Sequence, residues 1–284
     1  MRNTTIRTVL FFVASALLLI AVMVSCASLN SSLSTISAIE RISAPVDAFV
    51  VVHVTQSLLP TQCTSDDDDI DCDTILEQLP DLESTISGSG LLVQSDMGPA
   101  VLTAAHVCER EAPDVYEYAG VKISILSALR INVTSPIKGS FSASTIRVDE
   151  EHDLCLLKPE KIFTYPVKIS RKEPSIGDRV YSIAAPYGIS GHNLALVFNG
   201  YYSGTQDNVT FYTIPTKPGS SGSAVLNESW EVIGIIHGAF RSIENVGVGT
   251  GLKDIRNFLF TPVDVDVQIP SLPPLPTKIS PIFE

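Results

Sequence analysis

The chain has 284 residues, 45% of them apolar and 18% charged, a composition that can bury a globular core and is not that of a disordered segment. Its formal charge of -12 at pH 7 argues against a phosphate-backbone partner, which would favour a basic face, so nucleic acid is not expected as a partner. Five cysteines are too few for a fold built on disulfides.

The first element is an apolar run over residues 9–28, preceded by a segment whose only charges are Arg2 and Arg7. Three readings stay open. An export signal could be cleaved after Ala27, with small Ser25 and Ala27 at the inspected positions; Cys26 could mark an imperfect lipoprotein site; or the run could stay as an anchor. Each puts the rest of the chain outside the cytoplasm, secreted or held by a membrane tether through residues 9–28. A Ser-rich linker over residues 29–44 follows.

From Ala48 to Gln56 the chain is dense in β-branched residues and predicts a first strand. Next comes Cys63 to Cys72, which brackets five aspartates. EF-hand spacing is missing here, so this reads as a solvated loop rather than a calcium site. Short apolar runs then recur between Gly, Pro, Asn and Asp, at Leu91–Val93, Ala100–Leu102, Val121–Ile125, Leu154–Leu157, Arg179–Ile183, Leu194–Phe198, Val209–Ile214, Ala224–Leu226 and Val232–Ile236. Many short strands with turn signals predict an all-β sandwich or barrel. One helix is expected, over Leu252–Phe260, and residues 263–284 form a Pro-rich extended tail.

Three motifs carry chemistry. Val101–Cys108 places His106 after a buried strand and small residues. Asp149–Leu157 sets Asp153 at the head of an apolar strand. Pro218–Ser223 sets Ser221 beside glycines, where a tight turn can aim the amides of Gly219 and Ser221 at one point. A base, a carboxylate that orients it, a hydroxyl nucleophile and an oxyanion site are what serine-based acyl transfer needs. The chain order His, Asp, Ser is one of the known orders for that constellation. Asp149 is a rival orienting acid, set below Asp153 because Asp153 heads the apolar run. His53, His152 and His192 make no metal set.

These segments resemble a known family. Ser87–Val93 with Leu102–Val107 is similar to the opening of the HtrA/Deg and glutamyl endopeptidase branches of the trypsin-like serine peptidases. Asp149–Lys158 and Ile176–Gly188 resemble HtrA segments, and Ser221–Ile235 is closer to the glutamyl endopeptidases. The resemblance runs from Ala48 to Phe260. It implies a chymotrypsin-like double six-stranded antiparallel β-barrel, with residues 45–165 forming the first barrel, residues 166–262 the second, and a short C-terminal helix. Implied too are serine endopeptidase activity on a protein or peptide substrate through His106, Asp153 and Ser221, and no cofactor or metal.

The chain departs from these relatives at several points. Ser220 stands where trypsin-type zymogens keep an aspartate, so no zymogen switch is expected. Only 24 residues follow Phe260, so no PDZ module is expected. His237 is one position off the carboxylate-binding histidine of the glutamyl endopeptidases, which on a strand reverses the face it presents. The pocket for the substrate side chain is expected along Ile214, Pro215, Thr216, Lys217, Ile236, His237, Gly238 and Ala239. It is read as accepting small aliphatic groups, with an acidic group held by Lys217 or His237 as the alternative.

Cys63 with Cys72 is the favoured disulfide, and Cys108 and Cys155, each two residues past a motif residue, could form another. Asn132, Asn208 and Asn227 fit the glycosylation pattern. Two rival functions stay open: an inactive binding module on the same fold, and a processing protease of narrow specificity.

Overall fold

The computed structural model describes residues 43–65, 70–109, 114–118, 120–240 and 242–260. The apolar run at residues 9–28, most of the 29–44 linker, the Asp66–Asp69 run and the Pro-rich tail lie outside them. Among the described residues, thirteen strands form two sheets. The first sheet holds β1 (Phe49–Ser65), β2 (Leu82–Ser95), β3 (Gly98–Thr103), β4 (Val115–Tyr118), β5 (Val121–Ser135), β6 (Gly139–Asp149) and β7 (Leu154–Pro159). Its order is β1-β2-β3-β7-β6-β5-β4, and an extra antiparallel pairing of β1 with β5 joins the two ends of a six-strand run. The sheet thus carries one strand more than expected, because β4 hangs on β5 outside that ring.

The second sheet is a closed barrel of β8 (Arg179–Ala184), β9 (Leu196–Gln206), β10 (Val209–Tyr212), β11 (Ala224–Leu226), β12 (Val232–Ala239) and β13 (Gly247–Gly251), in the order β10-β13-β12-β11-β8-β9. The architecture is all-β and chymotrypsin-like.

Strands form where β-branched and leucine residues alternate or run together. Val50, Val52, Leu92, Val101, Leu102 and Leu154 to Leu157 are all buried in one cluster, and each fully buried aliphatic contributes about 1.5–3 kcal/mol. Ile235, Leu226 and Val232 of the second barrel join the same cluster, so the two barrels share apolar packing. A second cluster inside the second barrel holds Val180, Tyr212, Ile214, Val225, Ile233 and Ile236.

β1 pairs with β2 only as far as Leu58, but it stays paired with β5 to Ser65. The ladder beyond Leu58 forms an arm. Helix α1 (Cys72–Gln78) follows, with Asp71 as its N-cap accepting from the Thr74 amide at 3.2 Å. The loop expected up to Cys72 therefore ends in a helix cap, and Cys63 and Cys72 are bridged across it.

Helix α2 is the short segment Ala105–Cys108, and α3 is Leu252–Phe260, the range that periodicity predicts. Leu252, Ile255, Phe258 and Leu259 make the buried face of α3. Leu252 packs in the second-barrel cluster, and the other three pack in the shared one.

A second disulfide, Cys108–Cys155, joins the end of α2 to β7 and closes a separation of 47 residues. In the chain-entropy picture a loop of that size contributes about 4 kcal/mol. The Cys108→Ala, Cys155→Ala double variant should lose roughly that much in urea unfolding, and a loss under about 1 kcal/mol would show that α2 and β7 hold each other without it. Two disulfides point to an oxidising, extracytoplasmic compartment. Among the described residues, no helix is long and apolar enough to cross a membrane.

Candidate active site

His106 sits on the second residue of α2, directly after β3, with its side chain about half exposed. Asp153 ends the turn between β6 and β7 and takes φ 51°, a left-handed conformation that aspartate tolerates better than most residues. From there it bonds His106 twice. Oδ1 accepts the His106 backbone amide at 2.9 Å, and Oδ2 lies 2.7 Å from the ring Nδ1. Ring and backbone are thus fixed by one carboxylate. Burial pushes the Asp153 carboxyl up, but the hydrogen bonds from His106, together with the charges of His106 and His237, outweigh it and hold the group below the usual aspartate range. The rival acid, Asp149, is occupied elsewhere, since it bonds the His152 ring at 2.8 Å and the His152 amide at 3.1 Å.

Ser221 lies between Gly219 and Gly222, whose φ values of 92° and 83° are left-handed. A Cβ at Gly219 would lie 2.5 Å from the Ala185 carbonyl oxygen, and one at Gly222 would lie 2.1 Å from Thr103 Oγ1 and 2.2 Å from the Ser89 carbonyl oxygen. Only glycine fits either position. Gly222→Ala should therefore cost more than about 3 kcal/mol through strain and overlap, measured by thermal or urea unfolding. A cost under about 1 kcal/mol would show that the loop can move away.

One first-barrel residue ties down the whole loop. Ser89 donates its amide to the Ser221 carbonyl at 2.7 Å and its hydroxyl to the Gly219 carbonyl at 2.8 Å. Its own hydroxyl accepts the Ala185 amide at 3.0 Å, and its carbonyl accepts the Thr103 hydroxyl at 2.8 Å. Sequence reading gave Ser89 no role. The signal was there, as a lone serine between two glycines in Ser87–Gly90.

The Ser221 hydroxyl donates to the His237 carbonyl at 3.0 Å and makes no hydrogen bond to His106. His237 is itself unusual in placement. The register of β12 against β13 shifts between Ile236 and Gly238, so His237 is the bulge residue, and a bulge re-aims a side chain. Its ring Nδ1 lies 3.7 Å from Asp153 Oδ2, and its Nε2 lies 2.8 Å from Thr250 Oγ1. Two of the sequence-identified histidines, His106 and His237, therefore approach the Asp153 carboxylate, at 2.7 and 3.7 Å, and Ser221 joins them through the His237 main-chain carbonyl.

The predicted pocket residues divide. Ile214, just past the end of β10, and Ile236, in the wholly buried first part of β12, are packed in the second-barrel core and do not line a surface pocket. Thr216 is buried, its hydroxyl donating to the Ile214 carbonyl at 3.2 Å. Lys217 and Ala239 are exposed, while Pro215 and Gly238 are partly buried. A Cβ at Gly238 would meet only Val248, at 3.9 Å, so open space flanks that position. Among the described residues, no group of three or more His, Cys, Asp or Glu side chains is arranged to hold a metal ion.

A family model described as the trypsin-like peptidase domain matches residues 88–235, which span β2 to β12 and include His106, Asp153 and Ser221. Among solved structures, a serine endoprotease from Yersinia pestis is similar at 22% identity and a TM-score of 0.50. That match covers 76% of this chain and 62% of the other, so this chain spans under two thirds of its length. A protein from M. tuberculosis H37Rv, solved as an inactive serine-to-alanine mutant, is similar at 16% identity and a TM-score of 0.48, covering 74% of this chain and 84% of that one. No curated protein sequence matches the chain.

Proposed function

As the chain belongs to the trypsin-like peptidase family, with the family domain over residues 88–235, we propose that it is a serine endopeptidase acting through His106, Asp153 and Ser221. The observation that carries the reading is the double bond of Asp153 to His106, at 2.9 and 2.7 Å, beside a serine held between two left-handed glycines.

In this mechanism Asp153 fixes the His106 ring with its proton on Nδ1, which leaves Nε2 free to act as base. The Ser221 hydroxyl leaves the His237 carbonyl by rotation about its side-chain bond and gives its proton to that Nε2. Active-site hydrogen bonds of this kind commonly form only once substrate is bound. The Ser221 oxygen attacks the peptide carbonyl. The negative charge that develops is met by the amides of Gly219 and Ser221, and neither amide donates to a backbone carbonyl among the described residues. His106 then passes its proton to the leaving amine, and water resolves the acyl-enzyme by the same steps in reverse. Because Asp153 is held below the usual aspartate range, it stays ionised and keeps orienting His106 well into acid.

Substrates in this reading are proteins or peptides with a small aliphatic residue before the cut bond, received near Thr216, Gly238 and Val248. The enzyme works outside the cytoplasm, secreted or tethered through residues 9–28. A catalytically silent binding module would have no need to keep all three residues together with Gly219 and Gly222.

The test is to treat the full chain with a fluorophosphonate probe, identify the labelled residue by mass spectrometry, and profile cleavage of a peptide library. Labelling on Ser221 with library cleavage is the expected result. Folded protein that neither labels nor cleaves would sink the enzyme reading, and cleavage of a single motif would narrow it to a processing protease.

A further inference from the structure

The hydrogen bonds around His237 fix where its protons sit. A hydroxyl has one hydrogen, and that of Thr250 is given to the His152 carbonyl, a group that can only accept. Thr250 Oγ1 must then accept from His237 Nε2, 2.8 Å away, so Nε2 carries a hydrogen in every protonation state. A neutral His237 accordingly leaves a bare lone pair on Nδ1, facing the Asp153 carboxylate at 3.7 Å with nothing to donate. Adding one proton puts a hydrogen on that Nδ1, 3.7 Å from the same Oδ2 that holds the His106 ring.

We propose that His237 is a positioning residue that shares Asp153 with His106. When neutral it leaves the carboxylate to His106, and when it takes a proton on Nδ1 it claims Oδ2 and loosens the base. This rests on the endopeptidase reading above for its effect on activity, but not for the sharing itself.

The electrostatic surroundings of His237 are few. Asp153 favours its charged form, and His106 opposes it. Asp149, Glu151 and Asp254, the carboxylate of α3, act on the ring of His152, beyond the Thr250 bridge. Burial dominates and pushes His237 below the ordinary histidine value. The ring is therefore neutral at neutral pH, and the sharing begins only as the pH falls below the usual histidine range. Two protons then act against one catalytic base, and the acid side of the rate profile reports both.

The experiment needs no knowledge of the substrate. The second-order rate of fluorophosphonate labelling is measured against pH for the full chain and for His237→Gln, which cannot be protonated. The unmodified chain should fall on the acid side with a limiting log–log slope of about two, and His237→Gln with a slope of about one. A slope of about one in the unmodified chain, or of about two in the variant, overturns the proposal.

Nitrogen-15 imidazole NMR of the unmodified chain tests the sharing independently of that variant's folding. Neutral His237 should be the Nε2–H tautomer, and the deshielded proton of His106 Nδ1 should be lost as the His237 ring charges. The opposite tautomer, or a His106 proton that persists through that titration, also overturns it. If nothing labels at any pH the endopeptidase reading fails, while the NMR titration still decides whether Asp153 is shared.

Discussion

Ser221→Ala is expected to lower kcat on a library-derived peptide by about a millionfold, with the unfolding free energy unchanged within about 0.5 kcal/mol. The two halves of that result have separate causes. The side chain makes one hydrogen bond, to the His237 carbonyl, whereas the ties that shape the loop use the Ser221 carbonyl and the glycine backbones, which alanine keeps. Chemistry is lost because no other hydroxyl can stand in. Ser220 and Ser223 flank the position but are buried, at 2% and 1% exposure. The amides left at Gly219 and residue 221 would retain about 10^3–10^4 of rate over water. Single-turnover hydrolysis measures it, and more than about one hundredth of the parent rate would mean that the nucleophile lies elsewhere.

Asp153→Asn should follow with a loss of about 10^4 in kcat and little change in KM. An amide oxygen can still accept the His106 backbone hydrogen, so the histidine stays in place. The amide nitrogen, however, would present hydrogens to Nδ1, where the carboxylate presents a lone pair. The ring would then carry its proton on Nε2, facing the serine, and could not act as a base. A loss under about tenfold would assign the orienting role to another group. Asp149 is the rival from the sequence, and its two bonds to His152 make that outcome unexpected.

Much of this was legible in the sequence because chemistry and burial both leave local marks. The apolar runs at Leu154–Leu157 and Val232–Ile236 read as strands, and Leu252–Phe260 reads as a helix, because each buries a regular set of large side chains. Ser221 stood out through its glycines, and His106 through the small residues before it.

What escaped notice carries its information in the backbone. β13, Gly247–Gly251, has almost no side chains to read. Its glycines are needed because the neighbouring strand comes too close, and a Cβ at Gly249 would lie 1.8 Å from the Ile235 carbonyl oxygen. β6 was missed because its serines and threonine hide the alternation, the outer reach of β1 because pairing there runs past its apolar stretch, and residues 126–135 of β5 because Ser127, Arg130, Asn132 and Thr134 interrupt the apolar run. The bulge at His237 is a register effect between β12 and β13, set by two segments far enough apart in the chain that neither shows it alone.

Ser89 gives the protein a timetable. Its four bonds reach the Ser221 and Gly219 carbonyls, the Ala185 amide and the Thr103 hydroxyl, so the nucleophile loop takes its form from a strand made more than a hundred residues earlier. During synthesis, which delivers the N-terminal half first, β2 and its Ser89 emerge well before the Pro218–Ser223 turn that Ser89 ties down. Competence for hydrolysis would switch on late and all at once, when β12 and the Pro218–Ser223 turn dock, and a growing chain would carry no working blade while its own later segments were still unfolded.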